Sequence, residues 1–157
     1  MEIVLTVIGK TATPYLVQGI DIYLKRLRFY IPFKIHVIPD LKKNKNISEE
    51  VQKTMEGNEI LSSVSPQDYI ILLDENGRQY NSVEFSEILQ RIMASGVKRI
   101  VFVIGGPYGF SKDVYKRANS LISLSKMTFN HEMIRLFFIE QLYRGMTILR
   151  GEPYHHK

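Results

Sequence analysis

The sequence predicts an α/β fold, a mostly parallel sheet flanked by helices, and three observations carry that prediction. Segments of strand character alternate with segments of helical period along the chain, the order that produces parallel strands joined by helical crossovers. Two strand segments, Tyr69 to Leu73 and Ile100 to Ile104, are short continuous apolar runs, the pattern of strands covered on both faces. The stretch RIVFVIGGPYGF, residues 99–110, ends such a run at a glycine pair, with Ser111 placed to cap a following helix. Gly105, Gly106 and Gly109 let the backbone turn tightly and approach a ligand, because no Cβ stands in the way. In open α/β sheets ligands bind at that end of the strands.

Each element has its own signal. Glu2 to Ile8 reads as a first strand ending at Gly9. A helix starts near Pro14, with Leu16, Ile20, Tyr23, Leu24 and Leu27 on one face and Lys25, Arg26 and Arg28 clustered late, where cations suit the helix dipole. Phe33 to Ile38 alternates as a second strand, and Asp40 to Asn46 (DLKKNKN) reads as a cationic loop, a solvated linker or an RNA-facing arm. Ser48, Glu49 and Glu50 open a second helix running to about Ser62. Tyr69 to Leu73 is the third strand, closed by Asp74, Glu75 and an Asn76-Gly77 turn.

Asn81 and Glu84 have capping-box spacing ahead of a helix over Ser82 to Ser95, which Gly96 stops. After the Ile100 strand come a short helix from Ser111 to about Asn119 and a fifth strand, Leu121 to Leu124. Asn130 to Leu149 predicts a long final helix, apolar nearly all round, which must bury more than one side. In so small a domain the second side fits another subunit, the alternative being a helix wrapped within its own fold.

Bulk properties narrow the function. A chain of 157 residues with 45% hydrophobic content and no cysteine reads as one globular domain over residues 1–157, with no disulfide, thiolate metal site or cysteine nucleophile. No signal peptide or membrane-length apolar run is present, which points to the cytoplasm with no membrane partner. The net charge of +5 suits a polyanionic partner such as nucleic acid.

Familiar motifs lose a defining residue. Gly9-Lys10-Thr11 resembles the end of a phosphate-binding loop, but the upstream glycine position holds Val4. His131-Glu132 begins a zinc-protease motif whose second histidine position is Arg135, so no metal is expected. Gly109-Phe110-Ser111 lacks the closing glycine of a nucleophile elbow, since Asp113 stands there, and the first strand turn lacks a dinucleotide fingerprint.

What remains is a site at the ends of the later strands. Leu73, the Gly105 turn and the segment Leu124-Ser125-Lys126-Met127-Thr128-Phe129 offer backbone groups to read a purine, with apolar walls from Leu73, Ile104, Leu124 and Met127. The tail adds Tyr154, His155 and His156 after the rigid Pro153, at a position that ordinarily frays. Arg135, Arg144, Arg150 and Lys157 make this end of the chain cationic.

VIGGPYG, LSLSKMTF followed by His131, IEQLYRG and the terminal PYH together resemble the SPOUT (trefoil-knot) superfamily, in particular the small bacterial methyltransferases that modify ring nitrogen 3 of a pseudouridine in large-subunit (23S) ribosomal RNA. The resemblance extends from the first strand to the last residues. It implies a deep C-terminal trefoil knot, although knots are nearly absent among proteins in general. It also implies a homodimer, and S-adenosyl-L-methionine held by Leu73, Gly105, Leu124, Ser125, Lys126, Met127, Thr128 and Phe129.

By the same resemblance, His155 accepts the imide proton, Tyr154 orients it or stacks on the base, and Arg144 binds RNA phosphate or the target base, with Arg135 on the same surface. A domain this small is expected to recognise the assembled ribosome by shape. Tyr108, Asn130 and the doubled histidine depart from the family pattern. The competing readings are a non-catalytic RNA-binding knot protein and an α/β nucleotide-binding protein with a small-molecule substrate.

Overall fold

The computed structural model describes residues 1–41 and 46–156, so most of the cationic loop expected at 40–46, and Lys157, lie outside the described residues. Five parallel strands form one sheet among them: β1 (Glu2–Ile8), β2 (Phe33–Ile38), β3 (Tyr69–Gln79), β4 (Arg99–Ile104) and β5 (Ser120–Ser123), in the order β2-β1-β4-β3-β5. The helices are α1 (Pro14–Leu27), α2 (Glu49–Ser62), α3 (Ser82–Ala94), α4 (Lys112–Arg117) and α5 (Met133–Leu149).

The continuous apolar runs are explained by what covers them. Leu5, Phe102 and Ile71 stand in register across β1, β4 and β3 and point into a core shared with α1, α3 and α5, where the Phe102 and Phe138 rings lie 4.6 Å apart. Their neighbours Val4, Val101 and Ile70 point the other way, into a second core with α2 and α4. Crossovers on the α1 and α3 face move toward β2, and those on the α2 and α4 face move toward β5. All four therefore share one hand, as parallel connections do.

Helix starts follow the sequence signals. Ser48 and Ser111 each accept the N–H of the residue three positions on, and Asn81 and Glu84 form a complete capping box. Boundaries differ where tertiary contacts take over. α4 stops at Arg117 because Asn119 turns away to exchange hydrogen bonds with Ile70 at the start of β3. α5 begins at Met133, after Asn130 accepts the N–H groups of Glu132 and Met133. The Asn76-Gly77 segment does not end β3. Leu73 and Arg78 both align with Ile122 of β5, so residues 74–77 loop out and the strand then resumes. Gly77 is required there, since a Cβ would fall 2.6 Å from the Ile122 backbone.

α5 lies between α1 and α3, and small residues allow the approach. A Cβ on Gly19 would meet Leu136 at 3.0 Å, and one on Gly145 would meet Leu89 at 3.3 Å. Phe138, Ile139, Leu142 and Met146 are buried within the chain, so most of the helix's apolar excess is absorbed by its own fold, while Phe137 stays exposed.

The start of α5 is pinned to the β1–α1 connection. Glu132 accepts the N–H groups of Ala12 and Thr13 and the Thr13 hydroxyl, serving the N-terminus of α1, whose cap residue Thr13 makes no side-chain capping bond of its own. Those backbone bonds hold its carboxyl below the usual range. Arg135, expected on the RNA-facing surface, is instead 2% exposed and donates to the carbonyls of Ile8 and Gly9 and to the Thr11 hydroxyl. A cation on an apolar helix facing a strand end finds its acceptors inside the fold. No helix of the described residues is long and apolar enough to cross a membrane.

Candidate functional site

A cleft of about 740 Å³ opens at the carboxyl ends of β3, β4 and β5. Leu73, Gly105, Leu124, Ser125, Met127, Thr128 and Phe129 line it, as the sequence led us to expect, whereas Lys126 is exposed and does not line it. Asp74, Glu75 and the 106–110 turn add further wall, together with Glu49 and Lys53 of α2. Its size is that of a small-molecule site, and its lining mixes apolar walls with many polar and charged groups.

The glycine turn is shaped from behind. Gly109 adopts φ +81, which favours glycine, and the Phe110 ring packs where a Cβ on Gly105 would sit, 3.0 Å away. The carboxylate of Glu56 on α2, 2% exposed and held by Gln52 Nε2 at 3.2 Å, rests against Gly106 so closely that a Cβ would lie 2.4 Å from Oε1. The next residue, Gly57, approaches Ser111 in the same way. α2 therefore clamps the turn at both ends. Across the cleft, the Tyr115 hydroxyl donates to Asp74, whose other oxygen accepts the Asn76 N–H at 2.8 Å. In the 123–129 segment Ser123 Oγ donates to the Ser125 carbonyl, and Ser125 Oγ accepts from the Met127 N–H.

The three expected catalytic residues meet in one cluster, organised by a residue the sequence reading passed over. Glu140 Oε1 accepts Arg144 Nε at 3.1 Å, Arg144 Nη2 at 2.6 Å and the Tyr154 hydroxyl at 3.0 Å. The available signal was the i,i+4 spacing of Glu140 and Arg144 in IEQLYRG, an opposite-charge pair on a mostly apolar helix. The Arg144 guanidinium lies 4.7 Å over the Tyr154 ring, and Tyr143 packs edge-on to that ring at 4.8 Å. The tail is therefore pinned and does not fray.

Protonation states follow from donors and acceptors. Arg144 Nη1 lies 3.1 Å from His155 Nδ1. A guanidinium only donates, so Nδ1 carries a lone pair and neutral His155 holds its proton on Nε2. Burial, then hydrogen bonds with Tyr23 and Glu140, push the Tyr154 hydroxyl up, so it stays a neutral donor. Bonding to Glu140 raises Arg144, which stays cationic. His131 and His156 are exposed. Among the described residues no group of three or more acidic or histidine side chains is arranged to hold a metal.

Arg144, Tyr154 and His155 do not line the cleft. A second pocket of about 460 Å³ lies between, sharing Ser123, Leu124 and Phe129 with the cleft and Glu140 with the cluster. Phe129 and Phe137 stack edge-on at 5.1 Å on its wall, both partly exposed.

Comparison with known proteins places the chain in a family. A family model described as a predicted SPOUT methyltransferase matches residues 1–155. The chain is 59% identical to ribosomal RNA large subunit methyltransferase H of Christiangramia forsetii and 61% identical to that of Flavobacterium johnsoniae, over 157 residues and the full length of both chains in each case. It is 50% identical, over the same span, to the Bacteroides thetaiotaomicron protein of that name.

Proposed function

The chain belongs to the SPOUT methyltransferases, and from that premise we propose that it methylates large-subunit ribosomal RNA, at ring nitrogen 3 of a pseudouridine, with S-adenosyl-L-methionine as donor. The observation that carries the reading is the ordered tail. Residues that would otherwise fray are fixed by Glu140 into a donor and an acceptor side by side, Arg144 Nη1 and His155 Nδ1. A uracil-type imide edge presents the complement, a carbonyl oxygen beside an N–H. Arg144 binds that carbonyl and stabilises the charge that grows on it, while His155 Nδ1 exchanges its bond from Arg144 for the imide proton. Tyr154, protonated and held under the Arg144 guanidinium, keeps the pair in place.

The cleft's residues fit the cofactor. Leu73, Leu124, Met127 and Phe129 supply apolar walls for a purine, the 105–109 turn supplies backbone groups, and Asp74, Glu75 and Glu49 supply carboxylates for a molecule with ammonium and sulfonium charges. When bound, S-adenosylmethionine supplies an already activated methyl group, so the protein's part is alignment and exclusion of water. The clamped turn gives a direct check. Gly106→Ala would push a methyl against the buried Glu56 carboxylate and displace the turn. Calorimetry is expected to show S-adenosylmethionine bound at least about tenfold more weakly, a loss of about 1.4 kcal/mol.

The C-terminal knot and the homodimer belong to the same proposal. The position of α5 between α1 and α3 supports the first. The exposed Phe129–Phe137 pair, and the separation of the tail cluster from the cleft's own lining, support a second subunit that completes the site. Each subunit is one domain over residues 1–157, and the dimer acts in the cytoplasm on assembled ribosomes.

The test is transfer of labelled methyl from S-adenosylmethionine to ribosomes from cells lacking this protein, with naked ribosomal RNA alongside. Transfer to ribosomes alone is expected, with nuclease digestion placing the label on a pseudouridine. Cofactor binding without transfer to either RNA would leave a non-catalytic RNA-binding protein, and absence of cofactor binding would overturn the reading.

A further inference from the structure

Beside the tail cluster, the end of α1 and the end of α5 form a surface on which arginines lie on aromatic rings. Arg26 sits 5.2 Å over Tyr23 and 5.7 Å over Tyr143, Arg28 sits 4.9 Å over Phe29, and Arg150 sits 4.2 Å over Tyr30. Arg150 also donates to the Phe29 carbonyl at 2.9 Å. None of the three is ion-paired among the described residues. The nearby carboxylates are engaged elsewhere, Asp21 with Lys25 and Glu152 with the Tyr30 hydroxyl. The three arginines, with Lys25, Tyr30 and Tyr143, surround an open groove of about 450 Å³, and Phe29, 68% exposed, also lines it.

We propose that this groove is a docking surface for the sugar-phosphate backbone flanking the target nucleotide, with Phe29 as a stacking platform for an unpaired base. The inference rests on the RNA methyltransferase reading. Three features of the surface favour this occupant. Guanidinium planes held on rings lose little rotamer freedom and keep their N–H edges available for phosphate oxygens. An exposed phenylalanine among cations is an arrangement that binds single-stranded nucleic acid without reading its sequence.

Continuity with the catalytic cluster is the third. Tyr143 lines the groove and packs on Tyr154, and the Tyr23 hydroxyl lies 3.1 Å from that of Tyr154. A strand whose target base reaches Arg144 and His155 would therefore run its neighbouring phosphates over Arg26, Arg28 and Arg150.

The experiment compares the full-length protein with an Arg26→Gln/Arg28→Gln/Arg150→Gln variant, an Arg→Lys version at the same three positions, and an Arg91→Gln/Lys98→Gln control from an exposed surface elsewhere. Ribosome binding is measured as a function of salt, together with KM for ribosomes and cofactor affinity. The glutamine variant is expected to raise KM at least about tenfold, and to flatten the log–log salt slope by roughly 2, since each phosphate contact contributes about 0.7–0.9. Cofactor affinity is expected to match wild type, the lysine variant to recover most of the slope, and the control to match wild type throughout.

An unchanged slope and KM in the glutamine variant would overturn the inference. So would a shift from dimer to monomer in light scattering, which would make the face a subunit contact. Ribosomes that accept no methyl from the wild-type protein would defeat the methyltransferase reading itself, and the salt slope of binding would still report on the groove.

Discussion

His155→Ala is expected to lower kcat for methyl transfer to ribosomes by about 10²- to 10⁴-fold, the usual worth of a positioned general base, while the protein still binds S-adenosylmethionine. The expectation follows by elimination within the cluster. Tyr154 is held protonated by burial and its partners, so it cannot take a proton at neutral pH. The Glu140 carboxylate is occupied by Arg144, Tyr154 and the Gln141 amide. His156 is exposed, and no hydrogen bond among the described residues fixes it. Only His155 offers a fixed lone pair beside a fixed cation.

A structural role for His155 would give a different result. Removing its ring leaves Arg144 bonded to Glu140 and Tyr154 bonded to Glu140, so thermal stability should move little. His155→Gln can accept a hydrogen bond but cannot carry the proton away, and it should be nearly as slow as the alanine variant. Arg144→Ala should also be slow, and the double variant little slower than the slower single one, since the two residues act as one unit on one edge of the base. Full turnover by His155→Ala would remove it from the mechanism and direct attention to solvent as the proton acceptor.

Much of the fold was legible because its signals are local. Ser48, Ser111 and the Asn81–Glu84 pair cap the helices they precede, and the apolar runs at Ile70 and Ile100 are buried on both faces. The cleft was legible because strand ends in a parallel sheet converge, which brings Leu73, Gly105 and Leu124 to Phe129 together, Lys126 apart. What escaped depends on partners distant in sequence. The bulge at 74–77 exists because β5 pairs with β3 on both sides of it, and Asn76-Gly77 alone looks like an ordinary turn. Glu56 reads as one more helix carboxylate until the 106 turn is laid against it. Glu140 gains its role only when the tail, fourteen positions later, returns to it.

Arg135 is the sharpest case of a residue whose surroundings reverse its apparent role, and its replacement should have the largest effect on stability. Arg135→Met is expected to destabilise the fold by about 3–5 kcal/mol, the upper range of single substitutions, because it breaks a buried hydrogen-bond network. In a chain of this size each kcal/mol moves the melting temperature by about 2–4 °C, so a fall of roughly 6–20 °C should appear in a thermal scan. The cost arises from what is left behind. The carbonyls of Ile8 and Gly9, at 2.8 and 2.9 Å from the guanidinium, lose their donor at the buried end of β1, at about 1–3 kcal/mol each. Methionine relieves the burial of a cation, which already pulls Arg135 below its ordinary value, but it cannot reach either oxygen with a proton. Arg135→Lys retains a charge and can satisfy only part of the set, so it should fall between. A residue that served RNA at the surface would give the opposite pattern, unchanged melting with weakened ribosome binding. The two outcomes separate cleanly because Glu132, one turn earlier, holds the Ala12 and Thr13 N–H groups from the same helix end. Loss of Arg135 should therefore loosen the entire junction between β1, α1 and α5, and hydrogen exchange at the start of α1 should rise with it.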